Sequence, residues 1–398
     1  MAGKILFIGH DASRTGAPIH LLHILKWLKA HTKVSFEVLL RNGGELQAEF
    51  EALSPVHLIS SPTSVARQRT DRVLRRLTGH DFIGSTRLKR LKEKLGGGRF
   101  DLVYCNTATN GDLLELLSDV VQCPAICHVH ELEFWLRYQT DQTTLPLLYK
   151  HTQQYIAVSQ AVKKNLMENH GIAEANIDVV YGFISPPEEE NIDRNIEQRL
   201  REELGISPQT LIVGACGTTD WRKGPDLFVQ VANAVNQRRI DSPVCFVWMG
   251  GEKEGLRLGE LLQDVKKVGL EEKVKFIGSQ SRPLDYFKLF DVFALVSRED
   301  PFPLVNLEAG FSGCPIVCFD QAGGSAEFVE DDCGFVVPYL DIDAMAAKIC
   351  ELLTSTDLRH RMGKNAAKKV RERHIVSVGA PKIYAVIKQF MPNNRESS

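Results

Sequence analysis

Short apolar runs alternate with longer amphipathic stretches along nearly the whole sequence, and this rhythm constrains the fold more than any other feature. In the first half the runs are KILFI (4–8), VSFEVLL (34–40), DLVYC (101–105), PAICHV (124–129), QYIAVS (154–159) and IDVVY (177–181). Helical patterns lie between them. APIHLLHILKWLKA, for example, repeats apolar residues at Ile19, Leu22, Ile24, Leu25 and Leu28, the spacing of one helix face. Alternation of this kind predicts parallel sheet covered on both faces by helices. The rhythm breaks over 182–207, where Pro186, Pro187 and the acidic run Glu188–Glu190 fall. It restarts with TLIVGAC (210–216), VCFVWMG (244–250), KVKFIG (273–278), DVFALVS (291–297), PIVCF (315–319) and CGFVVP (333–338), with helices after Gly224 and over Leu256–Lys267. The expected fold is α/β, with two Rossmann-like, doubly wound parallel-sheet domains. Residues 1–185 form the first, 186–207 a linker and 208–376 the second.

Composition excludes several classes. A chain of 398 residues, 43% hydrophobic and 25% charged, is ordinary globular protein and not disordered or fibrous. A net charge of −2 argues against a whole-protein nucleic-acid binder. Apolar runs such as Val292–Val296 are too short to cross a bilayer. The opening MAGKILFIGHD reads as a first strand and not as a signal peptide, so the expected location is cytoplasmic. Nine cysteines lack C-x-x-C spacing; Cys123/Cys127 and Cys314/Cys318 are four apart. They read as reduced core residues, ahead of zinc ligands. One segment stands out by charge. Between Arg67 and Arg99, eleven basic residues face three acidic ones, a local +8 that leaves −10 on the rest of the chain. Such a cluster is either a solvated face or a contact with an anionic membrane surface or acidic acceptor.

Ligands of doubly wound sheets bind beyond the carboxyl ends of the strands, so the loops there carry the candidates. After the first strand, HDASRTGAPIH places Gly16 before a helix start, where backbone N–H groups can meet an anion; a tight strand–helix turn accounts for that glycine equally well. Neither a dinucleotide fingerprint nor a Walker loop is present. In GTTDWRKGPDLF, Gly217 ends a strand, Arg222 and Lys223 are adjacent cations, and Gly224-Pro225 opens a helix. Two cations at that position suit a bound diphosphate, the alternative being an exposed basic turn. SREDPFPLVNLEAG (297–310) puts Asp300 on a loop and Glu308 about a turn into a helix. Free N–H groups near Pro303, Leu304 and Val305 could meet a phosphate there. Gly323, Gly324 and Glu327 follow the next strand. Asp341 and Asp343 open a late helix and read as capping, not as a metal-binding D-x-D. His20, His23, His57 and His151 read as core or surface residues.

The order GTTDWRKG, KVKFIG, SREDPFPLVNLEAG, PIVCFDQAGGSAEFVEDDCGFVVP resembles the retaining glycosyltransferases of family 4, which have the GT-B fold. TGAP after the first strand, HVHELEFW (128–135), YIAVSQAVKKNL and the tail LRHRMGKNAAKKVRERH extend the resemblance over nearly the whole chain. It implies two domains facing each other across a cleft, with a last helix within 377–398 packing back toward the first. It further implies transfer of a hexosyl unit from a nucleotide-diphosphate sugar to a glycan or lipid-linked acceptor, without cofactor or metal, as in polysaccharide biosynthesis at the inner membrane face. Carried over, Lys223 and Arg222 would hold the donor diphosphate and Glu308 the ribose hydroxyls. Asp300 and the backbone at Phe302, Pro303 and Leu304 would meet the donor sugar and phosphates, with Val305 and Gly217 beside them. Gly278, Ser279 and Gln280 would lie along the base, Gly16 would approach the diphosphate, and His130 would sit at the reacting sugar. The sequence departs from the family at three points. Asp300 replaces a glutamate, leaving Glu299 as an alternative. Thr218 stands where an arginine is usual, and Ala17 replaces a second glycine. Two rival classes are a GT-B-shaped binding or scaffold protein without catalysis, and another GT-B enzyme such as an epimerase or phosphorylase.

Overall fold

The computed structural model describes residues 3–59, 82–186, 195–238 and 240–392. It divides into two compact units, the first containing residues 1–158, 162–181 and 376–398, the second residues 159–161 and 182–375.

The first unit is built on a seven-stranded sheet in the order β3-β2-β1-β4-β5-β6-β7. The strands are β1 Lys4–Gly9, β2 Ser35–Leu40, β3 Val56–Leu58, β4 Leu102–Cys105, β5 Ala125–Val129, β6 Gln154–Ala157 and β7 Ile177–Val179. Every pairing is parallel. Helices α1 Gly16–His31, α2 Gln47–Glu51, α3 Phe82–Gly96, α4 Gly111–Leu117, α5 Thr144–His151 and α6 Gln160–His170 fall between them in the chain. β3 escapes the sequence reading because three residues at a sheet edge are too few to show a period. Strand order reverses between β1 and β4, which pair from Ile5↔Leu102 to Ile8↔Cys105, and the loops beyond that crevice are where a ligand is expected.

The second unit repeats the plan with six strands in the order β10-β9-β8-β11-β12-β13. They are β8 Leu211–Cys216, β9 Val244–Met249, β10 Val274–Gly278, β11 Val292–Leu295, β12 Ile316–Phe319 and β13 Gly334–Val337, again all parallel. Its helices are α7 Ile196–Glu203, α8 Pro225–Gln237, α9 Leu256–Lys267, α10 Pro283–Phe287, α11 Leu304–Phe311, α12 Ser325–Val329, α13 Ile342–Thr354 and α14 Thr356–Arg373. β11 and β12 are buried at every position, because helices cover both faces; hence their unbroken apolar sequence. Phe228, Phe246 and Trp248 centre one core layer with α13 side chains such as Met345 and Ile349.

One detail differs from the expectation. Part of the stretch expected as linker is the helix α7, whose Ile196 and Leu200 are buried; these two apolar residues four apart form a stripe that favours packing over a free linker. The Pro-rich and acidic residues 187–194 lie outside the described residues. Helix α15, Val376–Gln389, is grouped with the first unit and packs on α1, where Tyr384 contacts Trp27. Of the basic segment, only α3 and its flank are described. Lys89, Arg90 and Lys94 are exposed there, while Lys92 pairs with Asp119 at 2.8 Å. Among the described residues no helix is long and apolar enough to cross a membrane. All nine cysteines remain thiols and lie buried or half-buried.

Candidate functional site

In the second unit the candidates gather beyond the carboxyl ends of β8, β11 and β12, at the β8/β11 reversal of strand order. The loop after β8 is shaped by Asp220, whose carboxylate accepts the Lys223 backbone N–H at 3.1 Å. It ends at Gly224, whose φ of +72° disfavours any side chain. A Cβ there would also lie 2.3 Å from the Val296 carbonyl oxygen. Pro225 then occupies the first helical position of α8, where its missing N–H is no loss.

This turn delivers Arg222 and Lys223 to the loop after β11. Lys223 Nζ forms a salt bridge with Asp300 Oδ2, and Arg222 lies 3.8 Å from Asp300 Oδ1 while donating to the Glu299 carbonyl at 3.1 Å. Asp300 is only 4% exposed. Its own backbone is held by the loop after β12, since its N–H donates to the Ala322 carbonyl and its carbonyl accepts from Gly324. Arg298 fixes the same two loops from behind. It binds Asp226 with both ends of its guanidinium, at 3.0 and 2.7 Å, and stacks on Trp221. The sequence reading did not single out Arg298, and a lone arginine in a loop carries no period or spacing that could reveal it.

Phe302 and Pro303 are buried, and α11 begins at Leu304 with Pro303 as its N-cap and no capping side chain. The Leu304 and Val305 amides are thus available to an anion, while Asn306 donates its N–H to the Pro303 carbonyl at 3.1 Å. One turn on, burial pushes the Glu308 carboxyl up to about 7. Gly278 ends β10 with φ +67°; its carbonyl accepts from Gly250, and Ser279 donates through both N–H and hydroxyl to Gly251. Glu327, at the start of α12, accepts from Gln160 and Ala161, both residues of this unit, at 2.8 Å each. Asp341 caps α13 by accepting from Ala344 at 2.9 Å, as the spacing predicts. Asp343 pairs with Arg238.

In the first unit, Gly16 opens α1 in an exposed position. A Cβ there would meet nothing within 4 Å, so the turn itself does not require glycine. Asn106, just beyond β4, anchors this entrance by donating to the Ala17 carbonyl at 3.0 Å. Asp11 accepts from the N–H and hydroxyl of Ser13, a local turn that shapes the loop. His130 follows β5 directly. Its backbone N–H donates to Glu131 at 2.9 Å, and Glu131 also receives the Ala108 N–H at 3.2 Å. Burial pushes that carboxyl up to about 7. Burial, with a smaller contribution from His10, depresses His130 to about 3, so its imidazole is neutral at physiological pH.

Two doubly wound units of this kind define the GT-B class, and the solved structures agree. The HepE protein of Anabaena, in complex with UDP and glucose, superposes with a TM-score of 0.78 at 22% identity over 97% of this chain and 99% of that one. WaaG, a glycosyltransferase of lipopolysaccharide biosynthesis, gives 0.70 at 14% identity over 96% and 99%. Residues 14–187 match glycosyltransferase family 4, and residues 196–369 match the glycosyl transferases group 1. The chain belongs to this family of sugar-transferring enzymes. Among curated relatives, the D-inositol 3-phosphate glycosyltransferase of Corynebacterium glutamicum is 23% identical over 347 residues, 82% of this chain and 80% of that protein. The amylovoran biosynthesis glycosyltransferase AmsD of Erwinia amylovora is 30% identical over 129 residues, which span 30% of this chain and 36% of AmsD.

Proposed function

We propose that this chain is a retaining hexosyltransferase that moves a sugar from a nucleotide-diphosphate donor to a glycan or lipid-linked acceptor. The observation that carries this reading is the group Arg222, Lys223 and Asp300, joined across the loops after β8 and β11 beside the uncapped start of α11. Breaking a sugar–phosphate bond builds charge on the leaving diphosphate, and preorganised cations with helix amides stabilise that charge. Without donor, Asp300 neutralises one of the two cations. A diphosphate carries more negative charge than one carboxylate, so Lys223 transfers its contact from Asp300 to phosphate oxygen when donor binds. Asp300 is then free to accept a sugar hydroxyl, which suits an aspartate held too close to the cations to reach far.

In this reading Glu308 accepts the two ribose hydroxyls, and Gly278 with Ser279 borders the base. Phe302, Pro303, Leu304 and Val305 present backbone to the phosphates and sugar, beside Gly217. Of the first-unit residues, Gly16 leaves its amide open to the diphosphate. His130, neutral, contacts the reacting sugar without deprotonating the acceptor. The exposed cations of α3 are consistent with attraction to an anionic surface. Nucleoside diphosphates tested for thermal stabilisation, followed by nucleotide sugars tested for cleavage, check the proposal. A chain stabilised by a diphosphate that never cleaves the matching sugar would instead be a binding protein.

A further inference from the structure

The first unit holds a second constellation, of which the transferase reading uses only His130. His128 and His130 are two apart at the end of β5, so their side chains leave the same face of the sheet. His20, buried in α1, completes a triangle, with ring centroids 5.2 Å from His128 and 5.4 Å from His130; the latter two are 4.2 Å apart. One nitrogen of each ring falls within 4.8 Å of the others. Among the described residues no other group of three or more histidine, cysteine or acidic side chains converges in this way.

Two ring nitrogens of the group are shielded from water and have no hydrogen-bond partner: His128 Nε2 and His130 Nε2. A buried polar atom left so costs roughly 1–3 kcal/mol, and native structures seldom leave one without a ligand or an ordered water. The opposite nitrogen of His128 is fixed by Tyr104, whose hydroxyl lies 2.6 Å from Nδ1. With that nitrogen protonated and donating to the phenol oxygen, Nε2 keeps its lone pair for a ligand, the outer-shell arrangement usual for a metal-ligating histidine. Imidazole coordinates in its neutral form, which already predominates for an ordinary histidine at pH 7.

We propose that His20, His128 and His130 form a binding site for a divalent transition-metal ion of the zinc type. Three neutral nitrogens and no carboxylate select zinc, cobalt, nickel or copper over magnesium or calcium. Tetrahedral coordination with bonds of about 2.0–2.1 Å sets the nitrogens about 3.3 Å apart, so nitrogens within 4.8 Å of one another draw together by up to about 1.5 Å when a metal binds. Three protein ligands leave a fourth position for water or an anion. This inference is compatible with the sugar contact proposed for His130: the metal takes its Nε2, the other edge of the ring is left for that contact, and the transfer reading requires no metal.

The test uses the full chain without an affinity tag, dialysed against Co2+ and followed by metal analysis and visible absorption. One Co2+ per chain is expected, with tetrahedral d–d bands and no thiolate charge-transfer band. That absence separates the site from the nine cysteines. His20→Asn should weaken uptake at least about tenfold. Tyr104→Phe should weaken it by about 10–100-fold while keeping the spectrum, the usual effect of losing an outer-shell partner. His20→Cys restores a ligand and should add the thiolate band, which tests the site even if the asparagine variant folds poorly. Failure of the unaltered chain to take up Co2+, or uptake accompanied by a thiolate band before any substitution, would overturn the proposal.

Discussion

Lys223 and Asp300 form a salt bridge across the carboxyl ends of adjacent strands β8 and β11, with side chains 14% and 6% exposed. The carboxylate thereby occupies a cation expected to serve phosphate. Asp300→Asn keeps the shape and removes the competing charge. It should bind nucleoside diphosphate at least as tightly as the unaltered chain while slowing sugar transfer about tenfold or more. Lys223→Ala should weaken both, since a charge-assisted contact contributes about 1.5–3 kcal/mol. Titration calorimetry beside turnover measurements distinguishes the two, and unchanged turnover in Lys223→Ala would remove this lysine from the site.

Glu308 ties stability to pH. Its carboxyl titrates at about 7 in the fold against 4.5 ordinarily, because burial opposes ionisation. The folded chain therefore keeps a proton that the unfolded chain releases between about pH 4.5 and 7, and stability falls as pH rises through that window. Glu308→Gln never ionises. It should unfold at a higher temperature than the unaltered chain above pH 7, with the gap closing below about pH 4.5. A gap independent of pH would show that burial does not raise this carboxyl.

Gly16 separates fold from function. With open space where a Cβ would stand and no positive φ, Gly16→Ala should leave stability unchanged or raise it by about 0.4–1 kcal/mol through the unfolded state. Transfer should nevertheless fall if this amide approaches a diphosphate. Full activity in a stable Gly16→Ala chain would confine the residue to a helix start.

Much of this arrangement is legible in the sequence because it rests on local patterns. Unbroken apolar strands such as IVCF mark a sheet covered on both faces, and Gly224-Pro225 marks a helix start. Arg222 and Lys223 sit between those two signals, so their place at a strand end follows. The pairing of Lys223 with Asp300 does not, because the residues lie 77 positions apart and meet only when β8 and β11 become neighbours. His20 is hidden for the same reason. Its helical position marks it as core, while its approach to His128 and His130 depends on how α1 lies over β5. Asn106 likewise acquires its role by holding Ala17, 89 positions away.

His130 yields a negative prediction about pH. With its ring depressed to about 3 by burial, it does not change charge between pH 5.5 and 8. Transfer by His130→Ala should be slower at every pH in that range, with a profile parallel to that of the unaltered chain. A limb near pH 6.5 that disappears on substitution would make His130 a titrating base instead.

The most direct test of retaining transfer is an NMR time course with an α-linked nucleotide sugar, chosen by diphosphate stabilisation, and an acceptor. An inverting enzyme needs a base on the acceptor hydroxyl, opposite the leaving phosphate, and the candidates the sequence offers are Asp11 and His130, both at strand ends of the first half. Asp11 is engaged in the turn with Ser13, and burial lowers His130 to about 3, too low for a base working near pH 7. The donor's anomeric signal should decay as nucleoside diphosphate appears, and the new glycosidic signal should be α. A β-linked product, or a donor left intact by the acceptor-saturated chain, would contradict the account.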